Sequence, residues 1–191
     1  MKRISYILLA LLAVACGGAN KQTSEPQEAV VENKDSVVVY EHDYLVKVGD
    51  LAPDFTLNYT DGNEFTLSQL RGKVVMLQFT AGWCRVCRQE MPYIEEEIWQ
   101  KHKDNENFVL VAVDLQEPKE KVLKFIEDMK VTYPLTLDEN GEIFSLYTEK
   151  NAGETLNIII DLDGKIVFLT RLFDRKEFDQ MKEVIETLLN K

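Results

Sequence analysis

The stretch VVMLQFTAGWCRVCRQEMP, residues 74–92, sets an apolar run directly before two cysteines spaced Cys84-x-x-Cys87. Residues 74–79 are apolar and β-rich apart from Gln78, lie between Lys73 and Thr80-Ala81-Gly82, and have the length of a buried central strand. A helical pattern follows, in which Cys87, Met91, Ile94, Ile98 and His102 recur every three or four residues and share one face. Pro92 falls inside that helix and is expected to kink it. The cysteines therefore sit where a strand gives way to a helix, next to unpaired N–H groups and partial positive charge. A thiolate is stabilised there, so the pKa of Cys84 is expected to fall. Cys84 is expected to be the exposed one, and Cys87, one turn in, the more buried.

Upstream of this stretch, residues 37–40 and 44–46 read as short β-type runs, and residues 50–53 as a turn. Residues 55–57 and 64–67 flank Asp61-Gly62, a hairpin signal. Residues 68–72 read as a helical turn and connector. Downstream, residues 108–113 form a second buried run ending at Asp114. Pro118 then opens a helix where its missing N–H costs least, with Val122, Phe125, Ile126 and Met129 on the core face. Residues 134–137 read as a strand, residues 142–147 as a short helix, and residues 157–161 and 165–170 as strands joined at Asp163-Gly164. Asp174 and Glu177 have capping-box spacing and open a last helix with Phe178, Met181, Ile185 and Leu188 inward. The order from residue 74 is β-α-β-α-β-α-β-β-α, an α/β chain whose sheet is parallel in one part and closed by an antiparallel hairpin, with helices on both faces.

The N-terminus has a different character. Lys2 and Arg3 precede an apolar run, residues 4–15, that is too short to span a bilayer and reads as an export signal. It ends in Leu12-Ala13-Val14-Ala15-Cys16, which resembles the lipobox of bacterial lipoproteins, although Ala13 stands where leucine is commonest. That resemblance implies cleavage after residue 15 and a diacylglyceryl group on Cys16. Residues 16–36 are polar and small and read as a tether, which leaves residues 37–191 as the domain. The 191-residue chain carries a net charge of −11, which speaks against a wrapped nucleic acid and against charge-driven docking on anionic lipid. With lipid on Cys16, only Cys84 and Cys87 remain as thiols, in an oxidising compartment where a disulfide persists.

Two cysteines at this spacing can exchange electrons, hold a metal or form a fixed staple. A structural zinc site needs two more ligands, and the only histidines, His42 and His102, lie far apart with no second pair. A staple over so short a loop gains little entropy. A peroxidatic Pro-x-x-x-Thr-x-x-Cys pattern is absent, since Leu77 and Ala81 stand at the proline and threonine places before Cys84. Exchange with a partner disulfide, resolved by a second thiol three residues on, uses every feature of the stretch.

Three segments carry a family resemblance: VGDLAPDFTL at 48–57, LSQLRGKVV at 67–75 and AGWCRVCRQEMP at 81–92. Together they resemble the TlpA-like branch of the thioredoxin superfamily, the membrane-anchored thiol-disulfide oxidoreductases of bacteria, over residues from about 47 to 189. The resemblance implies a thioredoxin-like fold, with a central mixed sheet flanked by helices and an N-terminal β-hairpin extension. It implies Cys84 as the attacking thiol, Cys87 as the resolving thiol and Trp83 packed beside them. Partners would be protein thiols or disulfides and a thiol-redox electron partner, with no metal or nucleotide cofactor. The setting would be the cell envelope, facing the periplasm, with the lipid anchor in the membrane.

Departures from that pattern carry information. Thioredoxins place a buried aspartate six residues before the first cysteine, whereas Gln78 stands there in this chain. An amide cannot take a proton, so water or a nearby carboxylate must serve. The family's cis-proline slot is filled by Thr155, and a cis bond before a non-proline residue costs about 2.5–4 kcal/mol, so a trans bond is expected. A threonine hydroxyl can instead hydrogen-bond a cysteine sulfur and retune potential and substrate choice. Arg85 and Val86 fill the gap between the cysteines, and the Arg85 charge is expected to favour the thiolate and make the pair more oxidising. The competing reading is a binding module that kept the fold and lost turnover.

Overall fold

The computed structural model describes residues 44–149 and 152–191. Cys16, the export signal, the tether, the run 37–40 and His42 lie outside the described residues. A small hairpin comes first, β1 Thr56–Asn58 against β2 Glu64–Thr66, turned at Asp61-Gly62. The Asp61 carboxylate accepts from the Asn63 N–H at 2.9 Å and Gly62 takes a φ of 93°, which is why the sequence needs those two residues there. A 3₁₀ turn, Leu67–Leu70, leads into β3 Val74–Thr80, buried at every position.

The strands that follow are β4 Phe108–Leu115, β5 Leu135–Asp138, β6 Leu156–Ile160 and β7 Ile166–Arg171, and they build one mixed sheet in the order β5-β4-β3-β6-β7. Strands β3, β4 and β5 are parallel, while β6 and β7 run antiparallel as the closing hairpin. Burial on both faces explains the nearly unbroken apolar runs in β3 and β4. Helices α1 Arg85–Ile94, α3 Lys119–Met129 and α5 Arg175–Leu189 contribute to one core, around Met76, Met91, Ile94, Phe125, Phe178 and Met181. On the other face α4 Glu142–Tyr147 and the N-terminal segment pack around Leu57, Leu77, Phe79, Phe144 and Tyr147. The mixed α/β sheet expected from the element order is observed, in the thioredoxin-like arrangement that the resemblance implies.

α1 runs through Pro92 to Ile94, and the irregularity in this helical stretch comes after it, as a widened turn. Proline has no N–H to close the turn behind it, and α1 passes at Glu95–Trp99 into a π-helical turn before the short α2, Gln100–His102. That wider turn rotates the chain, so the apolar face reaches Ile98 but leaves His102 half-buried against the Phe108 ring, 5.5 Å between centroids. The strand expected at 44–46 is not formed. Tyr44 makes a single bridge to Thr148, and a turn stabilised by the Asp50 carboxylate on the Lys47 N–H follows too soon for a ladder to extend. Asp174 caps α5 by accepting from the Glu177 N–H at 2.9 Å.

Candidate functional site

The carboxyl end of β3 delivers the cysteines. A turn closed by the Cys84 N–H on the Ala81 carbonyl (3.0 Å) brings the chain round, and Cys84 becomes the N-cap of α1. Its sulfur accepts from the Cys87 N–H at 3.2 Å, so one orphan donor of the helix start is aimed at that sulfur. Cys84 and Cys87 are joined as a disulfide with Cα atoms 5.4 Å apart. Cys84 is 6 % exposed and Cys87 0 %, so Cys84 is not the exposed cysteine expected: at the N-cap, under Thr155, it is buried, though less completely than Cys87. Arg85, at the first turn of α1, is exposed, and Val86 packs partly against the core around the pair.

Thr155 sits immediately before β6 and is 2 % exposed. Its Oγ1 lies 3.2 Å from the Cys84 sulfur and 3.2 Å from the Cys87 sulfur. The carbonyl of Thr155 accepts from the Leu172 N–H at 2.8 Å, and Leu172 adopts a left-handed φ of 63° just past β7. Trp83, expected to pack beside the pair, is 57 % exposed and lines a groove with Arg88, Lys121, Lys124 and Phe125. Arg88 ties this side down: its Nε donates to the Gly82 carbonyl at 2.7 Å, and its guanidinium stacks over Phe125 at 4.8 Å.

Gln78 is fully buried and accepts from the Tyr133 hydroxyl at 2.9 Å. Across the sheet it pairs in register with Asn157, whose amide donates to Glu90 at 2.7 Å and to Thr170 at 2.9 Å. Glu90 lies three residues after Cys87 on the same helix face and is 1 % exposed. Burial pushes its carboxyl up to about 8, against the pull of the Asn157 and Gln78 amides, and the Glu177 carboxyl adds to the rise. A second acidic pair stands behind the Gly82 turn. Asp114, level with Thr80 in the β3–β4 ladder, has neither oxygen hydrogen-bonded among the described residues, and burial followed by the Glu117 charge pushes it up to about 8. Glu117 accepts a short hydrogen bond from the Gly82 N–H. Among the described residues no three His, Cys, Asp or Glu side chains converge as a metal-binding group.

Glu90, Asn157, Asp114 and Glu117 are polar neighbours of the pair that sequence reasoning missed. For Glu90 a signal existed: an acid three residues after Cys87 and four before Ile94 falls on the apolar stripe, where an unpaired carboxylate is costly. The other three depend on strand register and a loop path, which no local pattern reports.

Residues 48–169 match the AhpC/TSA family. The chain belongs to that family. It is 35 % identical over 144 residues to the thiol-disulfide oxidoreductase ResA of Geobacillus thermodenitrificans, covering 74 % of this chain and 79 % of the relative. Among solved structures it resembles a candidate protein disulfide isomerase from Bacteroides thetaiotaomicron (TM-score 0.76, 54 % identity, 78 % of this chain and 94 % of the other). A candidate thiol:disulfide interchange protein DsbE from Chlorobium tepidum follows with a TM-score of 0.66 and 29 % identity, over 75 % of this chain and 99 % of the other.

Proposed function

We infer that this chain is a thiol-disulfide oxidoreductase that exchanges electrons with proteins through Cys84 and Cys87. The observation that carries this reading is the disulfide itself: it is placed at a helix N-cap, with Cys84 slightly exposed and Cys87 fully enclosed. A reduced Cys84 thiolate there accepts the Cys87 N–H and attacks a protein disulfide to give a mixed disulfide. Cys87 then attacks the Cys84 sulfur, closes the internal disulfide and releases the second protein thiol. Gln78 cannot exchange a proton, and Glu90, one turn along α1 from Cys87, keeps its own proton up to about 8 and accepts none at neutral pH, so the Cys87 proton goes to solvent. Arg85, exposed at the helix start, adds positive charge that favours the thiolate.

Equilibration in glutathione buffers of graded potential, followed by alkylation of free thiols, tests the reading. A reversible two-electron titration of Cys84 and Cys87 supports it. A pair that stays locked across the series overturns it in favour of a binding module. A Cys87→Ala variant should retain protein partners covalently on Cys84, identifying substrates and the direction of electron flow.

The lipobox-like Cys16 and the export-type leader further support lipid anchoring in the bacterial cell envelope, with the domain on the periplasmic side. Loss of the protein from the membrane fraction on Cys16→Ala is the expected result, and unchanged fractionation would refute it.

A further inference from the structure

The Thr155 hydroxyl is equidistant from both reacting sulfurs, at 3.2 Å from each. The slot is nearly closed to water, since Thr155 is 2 % exposed and the two cysteines 6 % and 0 %. The backbone around it is fixed. Leu156, the next residue, pairs with Phe79 of β3, and the Thr155 carbonyl is held by the Leu172 N–H. The side chain therefore meets the pair through sheet register rather than through a mobile loop. Among the described residues, and apart from the Cys87 N–H on Cys84, it is the hydrogen-bonding group brought to these sulfurs.

A hydroxyl has one proton to give and lone pairs to receive with, so it cannot donate to both sulfurs at once. Where one sulfur is a thiolate and the other a thiol, both capacities are used. The O–H donates to the charged sulfur, and the thiol S–H donates to the oxygen.

We propose that Thr155 is a catalytic residue whose hydroxyl bridges the two cysteines, donating to the Cys84 thiolate while accepting from the Cys87 thiol, and turning to donate to Cys87 when Cys84 enters a mixed disulfide. This rests on the exchange reading above and assigns the proton bookkeeping of the same site. In the reductive direction Cys84 S⁻ attacks a protein disulfide, one substrate sulfur leaves as a thiolate, and that thiolate is protonated. Cys84 is then neutral, the Thr155 O–H turns to Cys87, and the Cys87 proton passes to solvent as its sulfur gains charge. Cys87 S⁻ attacks the Cys84 sulfur, and the second substrate thiolate leaves and takes up a proton. Two electrons pass from the pair to the substrate, and the thiolate–thiol pair, one disulfide and one solvent proton become one disulfide and two thiols. A proline in the same slot has no proton to offer either sulfur.

The test is the pH profile of Cys84 alkylation by iodoacetamide in the reduced full-length chain, compared among wild type, Thr155→Val and Thr155→Ser. Valine keeps the branched shape and removes the hydroxyl, whereas serine keeps the hydroxyl. Thr155→Val should raise the Cys84 midpoint by about one to two pH units, the size expected for losing a hydrogen bond to a charged group. Thr155→Ser should return it to near the wild-type value. A valine profile that superimposes on wild type, or a folded serine variant that fails to restore the midpoint, overturns the proposal. Should valine prevent folding, Thr155→Ala removes the hydroxyl without the branch and is held to the same expectation. The profile reads the thiols directly, so it decides this role even if the glutathione titration overturns exchange, and an unchanged profile leaves exchange standing.

Discussion

Replacing Glu90 by glutamine should make the protein's stability less dependent on pH, with a calculable size. In the fold the Glu90 carboxyl is pushed up to about 8, whereas its ordinary value is 4.5. A carboxyl with a raised folded pKa costs stability once the unfolded chain can ionise and the folded chain cannot. Its contribution is least unfavourable below 4.5, worsens as pH rises, and levels off above about 8. Between pH 5 and pH 8 each pH unit costs about 1.4 kcal/mol, so the window amounts to about 4 kcal/mol. Glutamine offers the same carbonyl oxygen to the Asn157 amide, which now donates at 2.7 Å, and does not titrate. Stability relative to wild type should therefore rise through the window by about that amount. Asp114, pushed up to about 8, and Glu177, up to about 7, titrate with the same sign but largely cancel in the difference between the proteins. Urea unfolding of the oxidised proteins at fixed ionic strength, read as the midpoint difference at constant m-value, measures the effect. A Glu90→Gln difference that stays flat from pH 5 to pH 8 would refute the reasoning, because it would mean that Glu90 ionises in the fold at its ordinary value.

Two further perturbations test the scaffold around the pair. A Cβ at Gly82 would stand 2.7 Å from Glu117 Oε2 and 3.3 Å from Oε1, so Gly82→Ala must displace the carboxylate that accepts the Gly82 N–H. The expected cost is about 1–2 kcal/mol, read as a lowered Tm, and an unchanged Tm would show that this bond holds nothing in place. Buried Asp138 caps α4 by accepting from Ile143 N–H at 3.1 Å and Phe144 N–H at 2.8 Å. Asp138→Ala should cost about 1–2 kcal/mol and speed hydrogen exchange at those two amides, while Asp138→Asn recovers part of the loss. Equal exchange rates in Asp138→Ala and wild type would contradict the cap.

Legibility in the sequence followed the range of the interaction responsible. The β3–α1 junction was readable because strand burial, the N-cap position and the CxxC spacing all lie within nineteen consecutive residues, VVMLQFTAGWCRVCRQEMP. The hairpins at Asp61-Gly62 and Asp163-Gly164 were readable because their turns are set by residues that accept positive φ. The form of the break after Pro92 was not readable, because a missing N–H says that the ladder must yield but not how the next turn will repair it. The reading of 44–46 as a strand failed for a different reason: β-type composition does not supply a ladder, and among the described residues this segment forms an isolated bridge rather than a strand. The exposure of Trp83 was likewise hidden, since it depends on where Arg88 and α3 leave a groove.

The departures at 78 and 155 belong to one electrostatic arrangement. With an amide at 78, the strand beneath the pair carries no titrating group, and acid is found instead at Glu90 on α1. Because burial keeps Glu90 protonated up to about 8, the surroundings of Cys87 carry no fixed negative charge from it at neutral pH. A buried carboxylate there would oppose a second charge on sulfur, and a neutral carboxyl does not. The Cys84 thiolate then keeps its stabilisers, the Cys87 N–H and the Thr155 hydroxyl, unopposed from that side. Stabilising the thiolate stabilises the reduced form and makes the disulfide the stronger oxidant. Ionisation of Glu90 above about pH 8 removes that advantage, so the same carboxyl that limits stability at high pH also limits the range over which the pair stays oxidising.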